Sequence, residues 1–268
     1  MNHIMLDCYG CNPTLLENVK YINKIMNELP FVLSVIAVNP PSLVPYYYGK
    51  IQEDDGLSAY VILEGGHLTI HTFPYRKCYF LDIYAESNID TDVLINYLQE
   101  NLSFNYHTSI INERDRNQTI FHTSEYNEED DFGPHVLAEI KVNRDIHMEE
   151  LYDFLEQLVV KIGMTPIIRP SVLKSTIHNH RYLSGITMIA ESHISLHYDR
   201  KQQVIYADIF SCCSFDYSMV TSIYESFGKV VSYEVVARGT KHYSIVNNNK
   251  KDIEKVASEQ WKKSIYKD

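Results

Sequence analysis

The chain has 268 residues, enough for one large domain or two of ordinary size. Its formal net charge of −11 excludes a general binder of nucleic acid or anionic membrane, both of which need clustered Lys and Arg, and suits a cationic small molecule. Five cysteines, with Cys212 and Cys213 adjacent, exclude a disulfide framework, and Met1–Asp7 lacks the basic and apolar regions of a signal peptide, so a reduced, cytoplasmic protein without a membrane span is expected.

In chain order, His3 to Cys8 reads as a strand. Asn12-Pro13 opens a helix whose apolar residues are Leu15, Leu16, Val19, Ile22, Ile25 and Met26. Phe31 to Val38 is predicted to be a strand, and Asn39 to Gly56 a loop rich in Pro, Gly and tyrosine (Tyr46, Tyr47, Tyr48). Ser58–Leu63 and Leu68–Phe73 alternate apolar and polar residues and meet at Gly65-Gly66, a hairpin signal. Tyr79–Tyr84 continues as a strand, Thr91–Leu102 as a helix and Asn105–Ile111 as a strand. The acidic, polar stretch 113–132, with Glu125, Glu128, Glu129, Asp130 and Asp131, reads as a linker. Beyond it the order recurs. His135–Val142 is a strand, Met148–Ile162 a helix and Pro166–Ser171 a short strand. Ile186–Ala190, Ile194–Tyr198 and Val204–Phe210 are strands, followed by a helix at Tyr217–Phe227 and a strand at Val231–Ala237. Residues 247–268 form a lysine-rich polar tail, with a short helix expected around Trp261.

The recurrence extends to individual residues. Ser184 and Ser58, His197 and His71, and Cys212 and Glu86 each stand 126 positions apart. Helices with one apolar stripe and alternating strands are satisfied by a sheet with one face covered by helices. The expected class is therefore α+β: two similar α/β sandwich repeats, each an antiparallel-rich sheet covered by two helices. The boundaries are 1–112 for a degenerate repeat, 113–132 for the linker, 133–246 for the repeat that keeps its chemistry and 247–268 for the tail. The two sheets either stack in four layers or join edge to edge.

The chemistry concentrates in the second repeat. Ser192, between Glu191 and His193, sits where two strands meet. A hydroxyl on such a turn can attack the preceding peptide carbonyl if a base and a polarising donor are near. A hairpin folding there puts Ser184 and His197 on adjacent strands. Cys212, at the end of the next strand, is a candidate proton donor. In the first repeat Gly66 replaces Ser192 and Glu86 replaces Cys212, so the same reaction cannot start. Cys8 and Cys11 lack a second matching pair and read as ordinary residues.

The run Glu191-Ser192-His193-Ile194-Ser195-Leu196-His197, the run Asp208-Ile209-Phe210-Ser211-Cys212, and Gly133-Pro134-His135-Val136-Leu137-Ala138-Glu139 together resemble the pyruvoyl-dependent S-adenosylmethionine decarboxylases. The likeness is to the bacterial type, here duplicated in tandem. It implies self-cleavage between Glu191 and Ser192, with Ser184 and His197 assisting, and a pyruvoyl cofactor made from Ser192. It implies a Schiff base with the substrate amine, loss of CO2, return of a proton from Cys212, and no metal requirement. Residues 1–112 would then complete the site as an inert, fused partner. The family's adenine-stacking ring, usually Phe, falls at His180, which with Glu191 is the candidate substrate contact.

Three readings follow. The first is an S-adenosylmethionine decarboxylase of spermidine synthesis, the second a pyruvoyl decarboxylase of a basic amino acid such as arginine or ornithine, and the third a non-catalytic regulatory paralogue. The retained Ser184, Ser192, His197 and Cys212 argue for catalysis. The expected partner is a small-molecule substrate rather than nucleic acid or membrane, with a homodimer as candidate assembly.

Overall fold

A computed structural model describes residues 1–47, 51–114, 119–124, 126–190 and 192–241, the side chain of His178 excepted. Glu191, Tyr48, Glu125 and the expected tail from residue 247 lie outside the described residues.

The first half is a six-stranded antiparallel sheet in the order β2-β3-β4-β5-β1-β6. Its strands are β1 (Asn2–Tyr9), β2 (Ser42–Tyr46), β3 (Gly56–Leu63), β4 (Gly66–Phe73), β5 (Cys78–Ala85) and β6 (Tyr106–Glu113). The short helix α1 (Pro13–Leu16) leads into α2 (Val19–Val32), and α3 (Thr91–Asn101) follows β5. The helix starts are written in the sequence. Asn12, Asn18 and Asp90 each accept a backbone N–H at an N-terminus, which satisfies groups the helix itself leaves unpaired.

The second half is a seven-stranded sheet in the order β7-β13-β8-β12-β11-β10-β9. It comprises β7 (Phe121–Thr123), β8 (Gly133–Lys141), β9 (Ser171–Lys174), β10 (Tyr182–Ile189), β11 (Ser192–Asp199), β12 (Val204–Phe210) and β13 (Lys229–Arg238), with helices α4 (Met148–Lys161) and α5 (Tyr217–Glu225). All neighbours are antiparallel except β7 and β13.

Four expectations fail locally. Phe31–Val38 is not a strand. The apolar stripe Ile22, Ile25, Met26 and Leu29 carries α2 on to Val32, with Pro30 inside it and Phe31 left exposed. Only Ala37 makes a bridge, to Leu63. The strand expected at Pro166–Ser171 lies later, at β9, and Pro166 contributes a single bridge to Ile189. Two stretches read as irregular hold edge strands: β2 within the tyrosine loop, and β7 within the acidic stretch.

The two sheets stack face to face, with helices on both outer faces. The alternating strands explain this arrangement. Ile4, Leu6, Leu68, Ile70, Leu81 and Ile83 point to the helices of the first half, and Ile194, Leu196, Ile205, Ala207 and Ile209 to those of the second. The alternate positions face the other sheet, so the polar face of each is buried rather than wet. That interface has apolar patches such as Tyr60, Ile62, Ile186 and Met188, and an aromatic patch of Tyr9, Phe73, Phe80, Phe132 and Phe210. Between them His3, His67, His71, His135, His193 and His197 are all buried, with Asp7, Asp82, Asp208 and Arg238. Among the described residues no helix is long and apolar enough to cross a membrane.

Candidate active site

β10 and β11 form a hairpin in which Ile189 pairs with Ser192, so Ser192 is the first strand residue after the turn. Its side chain is fully buried, and its Oγ accepts the backbone N–H of Cys212 at 3.0 Å. The Cys212 thiol lies 3.8 Å from the carbonyl oxygen of Ala190 in the same turn. Cys212 is held there because β12 ends at Phe210, after which Ser211 donates its N–H to Pro134 O at 3.1 Å. Gly133 makes this approach available. A Cβ at 133 would stand 1.8 Å from the Ser211 carbonyl oxygen, so any side chain there would displace the Cys212 segment. Ser192 and Cys212, twenty residues apart in sequence, thus meet as expected.

Ser184 and His197 also meet, but elsewhere. They are register partners, with Ser184 Oγ 2.8 Å from His197 Nδ1. Five residue steps separate His197 from Ser192 along β11, which is roughly 16 Å at ~3.3 Å per residue. Facing His197 across the sheet interface is His67, whose Nδ1 is 2.8 Å from His197 Nε2, with the rings stacked. His67 follows Gly66, the position that replaces Ser192. At the Ser192 end the facing residue is His71, with Nε2 2.9 Å from Nδ1 of His193, the neighbour of Ser192. The rings stack with centroids 5.1 Å apart. Ser58 Oγ lies 2.8 Å from His71 Nδ1. β4 and β11 therefore run antiparallel across the interface, and each half lays its Ser–His pair against the other half's turn. Ser58 and His71 are the residues that sequence reasoning missed. Their signal was the offset of 126 that makes them the counterparts of Ser184 and His197.

His193 Nε2 lies 3.1 Å from Asp208 Oδ2, and although burial opposes it, partnering holds the Asp208 carboxyl well below the usual carboxylate range. An ionised Asp208 requires Nε2–H on His193, and His193, His71 and Ser58 follow one another in a hydrogen-bonded chain. Burial, with the neighbouring His193, holds His71 well below the usual histidine range, so it is neutral and one of its ring nitrogens carries a lone pair. Burial also lowers His197, and brings His67 to about 4.

The counterpart turn in the first half is closed. A Cβ on Gly66 would stand 1.8 Å from Tyr84 O, and Gly65, at φ +69°, has the Tyr182 ring against it. Glu86, in the place of the cysteine, pairs with Arg181 at 2.5 Å, and Arg181 also holds Asp199. His180 belongs to this closed end. It is exposed, its Nδ1 bonds Ser175 O at 2.6 Å, and Ser175 donates to Glu64. His180 therefore sits away from Ser192, because the segment before Ser184 runs along the same end of the hairpin as Ser184. The corresponding segment of the first half, Gln52–Asp54, lies at the other end. There Gln52 donates to Tyr75 Oη at 3.1 Å, Asp54 pairs with Arg76 at 2.6 Å, and Arg76 lies 5.9 Å from the Phe132 ring, part of the cluster on which Cys212 packs.

Comparison with known proteins agrees with this duplicated arrangement. The family described as S-adenosylmethionine decarboxylase matches twice, over residues 2–116 and 135–239. An S-adenosylmethionine decarboxylase proenzyme of Clostridium botulinum (strain Langeland) is 32% identical over 103 residues, which cover 38% of this chain and 83% of that protein. One from Thermosipho melanesiensis is 30% identical over 101 residues, covering 37% of this chain and 71% of its own length. The crystal structure of an adenosylmethionine decarboxylase from Aquifex aeolicus aligns over 41% of this chain and 92% of that chain, with 22% identity and a TM-score of 0.34. With both halves matched by one family description, the chain belongs to the S-adenosylmethionine decarboxylase family.

Proposed function

We propose that this chain is a self-processing S-adenosylmethionine decarboxylase with one working site, built on Ser192 and completed by the first half. The observation that carries the reading is the buried Ser192 hydroxyl bonded to the Cys212 N–H; support comes from Ser58 and His71, which reach across the interface to His193, the next residue in the chain. The reading draws further support from the closure of the counterpart turn. Neither of the alternatives, a basic amino acid decarboxylase or a regulatory paralogue, gains a specific observation.

Processing would proceed on the chain's own atoms. Ser192 Oγ attacks the carbonyl carbon of Glu191 and the Glu191–Ser192 C–N bond breaks, leaving an ester on Oγ and a free amine on Ser192. Loss of the Ser192 α-proton then expels the Glu191 carboxylate. Water replaces the resulting imine nitrogen, which leaves as ammonia, and the new N-terminus of residues 192–268 is a pyruvoyl group. Neutral His71, backed by Ser58 and oriented through His193 by Asp208, is placed to move these protons. Ser184 and His197 are placed to serve the other, closed turn. Once formed, the pyruvoyl carbonyl supplies an electron sink for loss of CO2 from a substrate amine. Ser192 and Cys212 suit this use: the first is buried away from water, and the second is half-exposed beside the turn, where its thiol can return a proton to the substrate carbon.

The denatured mass of purified protein tests the reading. Fragments 1–191 and 192–268 with a blocked, ketone-bearing N-terminus are expected, and an intact chain in the Ser192→Ala variant. A wild-type chain that stays at 31.2 kDa would overturn it.

A further inference from the structure

The centre of the sheet interface holds a second set of groups, which shares only Asp208 with the processing chain. His3 on β1 is completely buried, and neither of its ring nitrogens has a hydrogen-bond partner. His67 Nε2 is also buried and unpartnered. An unsatisfied polar atom in a dry interior costs free energy, and two imidazoles in this state at one place call for a ligand. Their donors converge. His3, His67 and Asp208 can each offer one atom within 4.8 Å of the others, as can His135, His193 and Asp208. His67 Nδ1 is 3.9 Å from Asp208 Oδ1. A tetrahedral ion with bonds near 2.0–2.1 Å separates its ligand atoms by about 3.3 Å, so this pair closes with a shift of about 0.6 Å.

Charge points the same way. Asp7, Asp82 and Asp208 are buried in this layer with one guanidinium, that of Arg238, which pairs with Asp7 and Asp82. Arg114 at its edge is matched by Glu139 at 3.5 Å. Three carboxylates thus share one guanidinium in this layer, which favours a further cation. Arg238 stands next to Asp82 and His135 Nδ1, which directs a cation to the Asp208 side. A donor set of imidazoles and one carboxylate suits zinc and its neighbours rather than magnesium or calcium.

We propose that His3, His67 and Asp208 bind one divalent transition-metal ion of the zinc type, which ties the two sheets together. His3 and His67 come from β1 and β4 of the first half, and Asp208 from β12 of the second, so the ion bridges the duplicated units. Its role is structural. The site stands at the middle of the interface, apart from the Cys212 turn, and does not depend on the decarboxylase reading.

The test uses the full-length Ser192→Ala chain, so its outcome is independent of self-cleavage. The protein is stripped with a chelator, then titrated with Zn2+ and, for optical detection, Co2+. One ion retained per chain is expected, with visible bands of tetrahedral Co2+ and no thiolate charge-transfer band. Saturating Zn2+ should raise the unfolding temperature by about 5–10 °C. His3→Gln and His67→Gln should each weaken binding by on the order of 100-fold while leaving the metal-free circular dichroism unchanged. If a variant fails to fold, stoichiometry and the Co2+ spectrum of the parent decide. Retention of no ion without a thermal shift, a thiolate band, or undiminished binding by folded His3→Gln and His67→Gln proteins would overturn the proposal.

Discussion

Replacing His71 should stop self-cleavage, whereas replacing His197 should not. The two histidines are equivalent by the repeat and equally buried, and each is bonded to its own serine at 2.8 Å, so chemistry alone does not separate them. Position does. His71 contacts His193, one residue from the scissile bond, while His197 lies five strand residues away, roughly 16 Å at ~3.3 Å each. Proton transfer by a side chain requires hydrogen-bond reach or one intervening water, and contributes roughly 100- to 10,000-fold. His71→Ala should therefore slow the appearance of fragments 1–191 and 192–268 by that factor, and Ser58→Ala should act in the same direction. His197→Ala and Ser184→Ala should cleave within about twofold of the parent rate, provided they fold. The assay is the time course of freshly synthesised full-length chain, followed by denaturing electrophoresis and mass. Burial keeps His71 neutral below the ordinary histidine midpoint of about 6.5, so the rate should not fall as pH drops through that value. Arrested cleavage in His197→Ala beside normal cleavage in His71→Ala would refute the cross-interface assignment.

Cys212→Ala should still process, since the contact to Ser192 is made by the backbone N–H, yet lose turnover or product fidelity when CO2 release from S-adenosylmethionine is measured. Gly66→Ser should destabilise rather than restore a second site, because its Cβ would overlap Tyr84 O at 1.8 Å; lower unfolding midpoints without any cleavage at residue 66 are expected. Arg238→Met would leave Asp7 and Asp82 buried without their cation, a loss of about 3–5 kcal/mol in denaturant unfolding.

The offset of 126, the strand order around Ser192 and the meeting of Ser192 with Cys212 were legible in the sequence, because a hairpin and its neighbouring strand place residues by local register. Two things were not. Alternation told which residues share a face but not what covers it. A polar face usually means solvent, and here it is the other sheet, so the buried histidines gave no warning of their partners. For the same reason the partners of Ser184 and His197 were hidden: register pairs them with each other, while only the stacking of the sheets brings His197 to His67 and His71 to His193. The error at Phe31–Val38 has a simpler origin. A short apolar run fits a strand or the end of a helix equally well, and the stripe through Leu29 decided for the helix.

The pattern of loss in the first half follows from this exchange of parts. If each turn is served by the opposite half's Ser–His pair, a duplicated chain can lose one turn's serine and cysteine and keep one complete site, provided the half that lost them retains the pair it lends. The sequence has that composition: Gly66 and Glu86 on one side, Ser58 and His71 on the same side. On that reading the converse pair, Ser184 and His197, would serve a turn without a serine, yet it too is present. Its retention has a structural cause. His197 Nε2 bonds His67 at 2.8 Å and Ser195 at 3.1 Å, and Ser195 donates to the Asp208 carboxylate that also orients His193. Removing His197 would cost His67 and Ser195 one hydrogen-bond partner each in a dry layer, about 1 kcal/mol, while they keep each other and Ser195 keeps Asp208. Ser184 and His197 should thus be measured as stability residues and Ser58 and His71 as processing residues, although the two pairs are copies of one another.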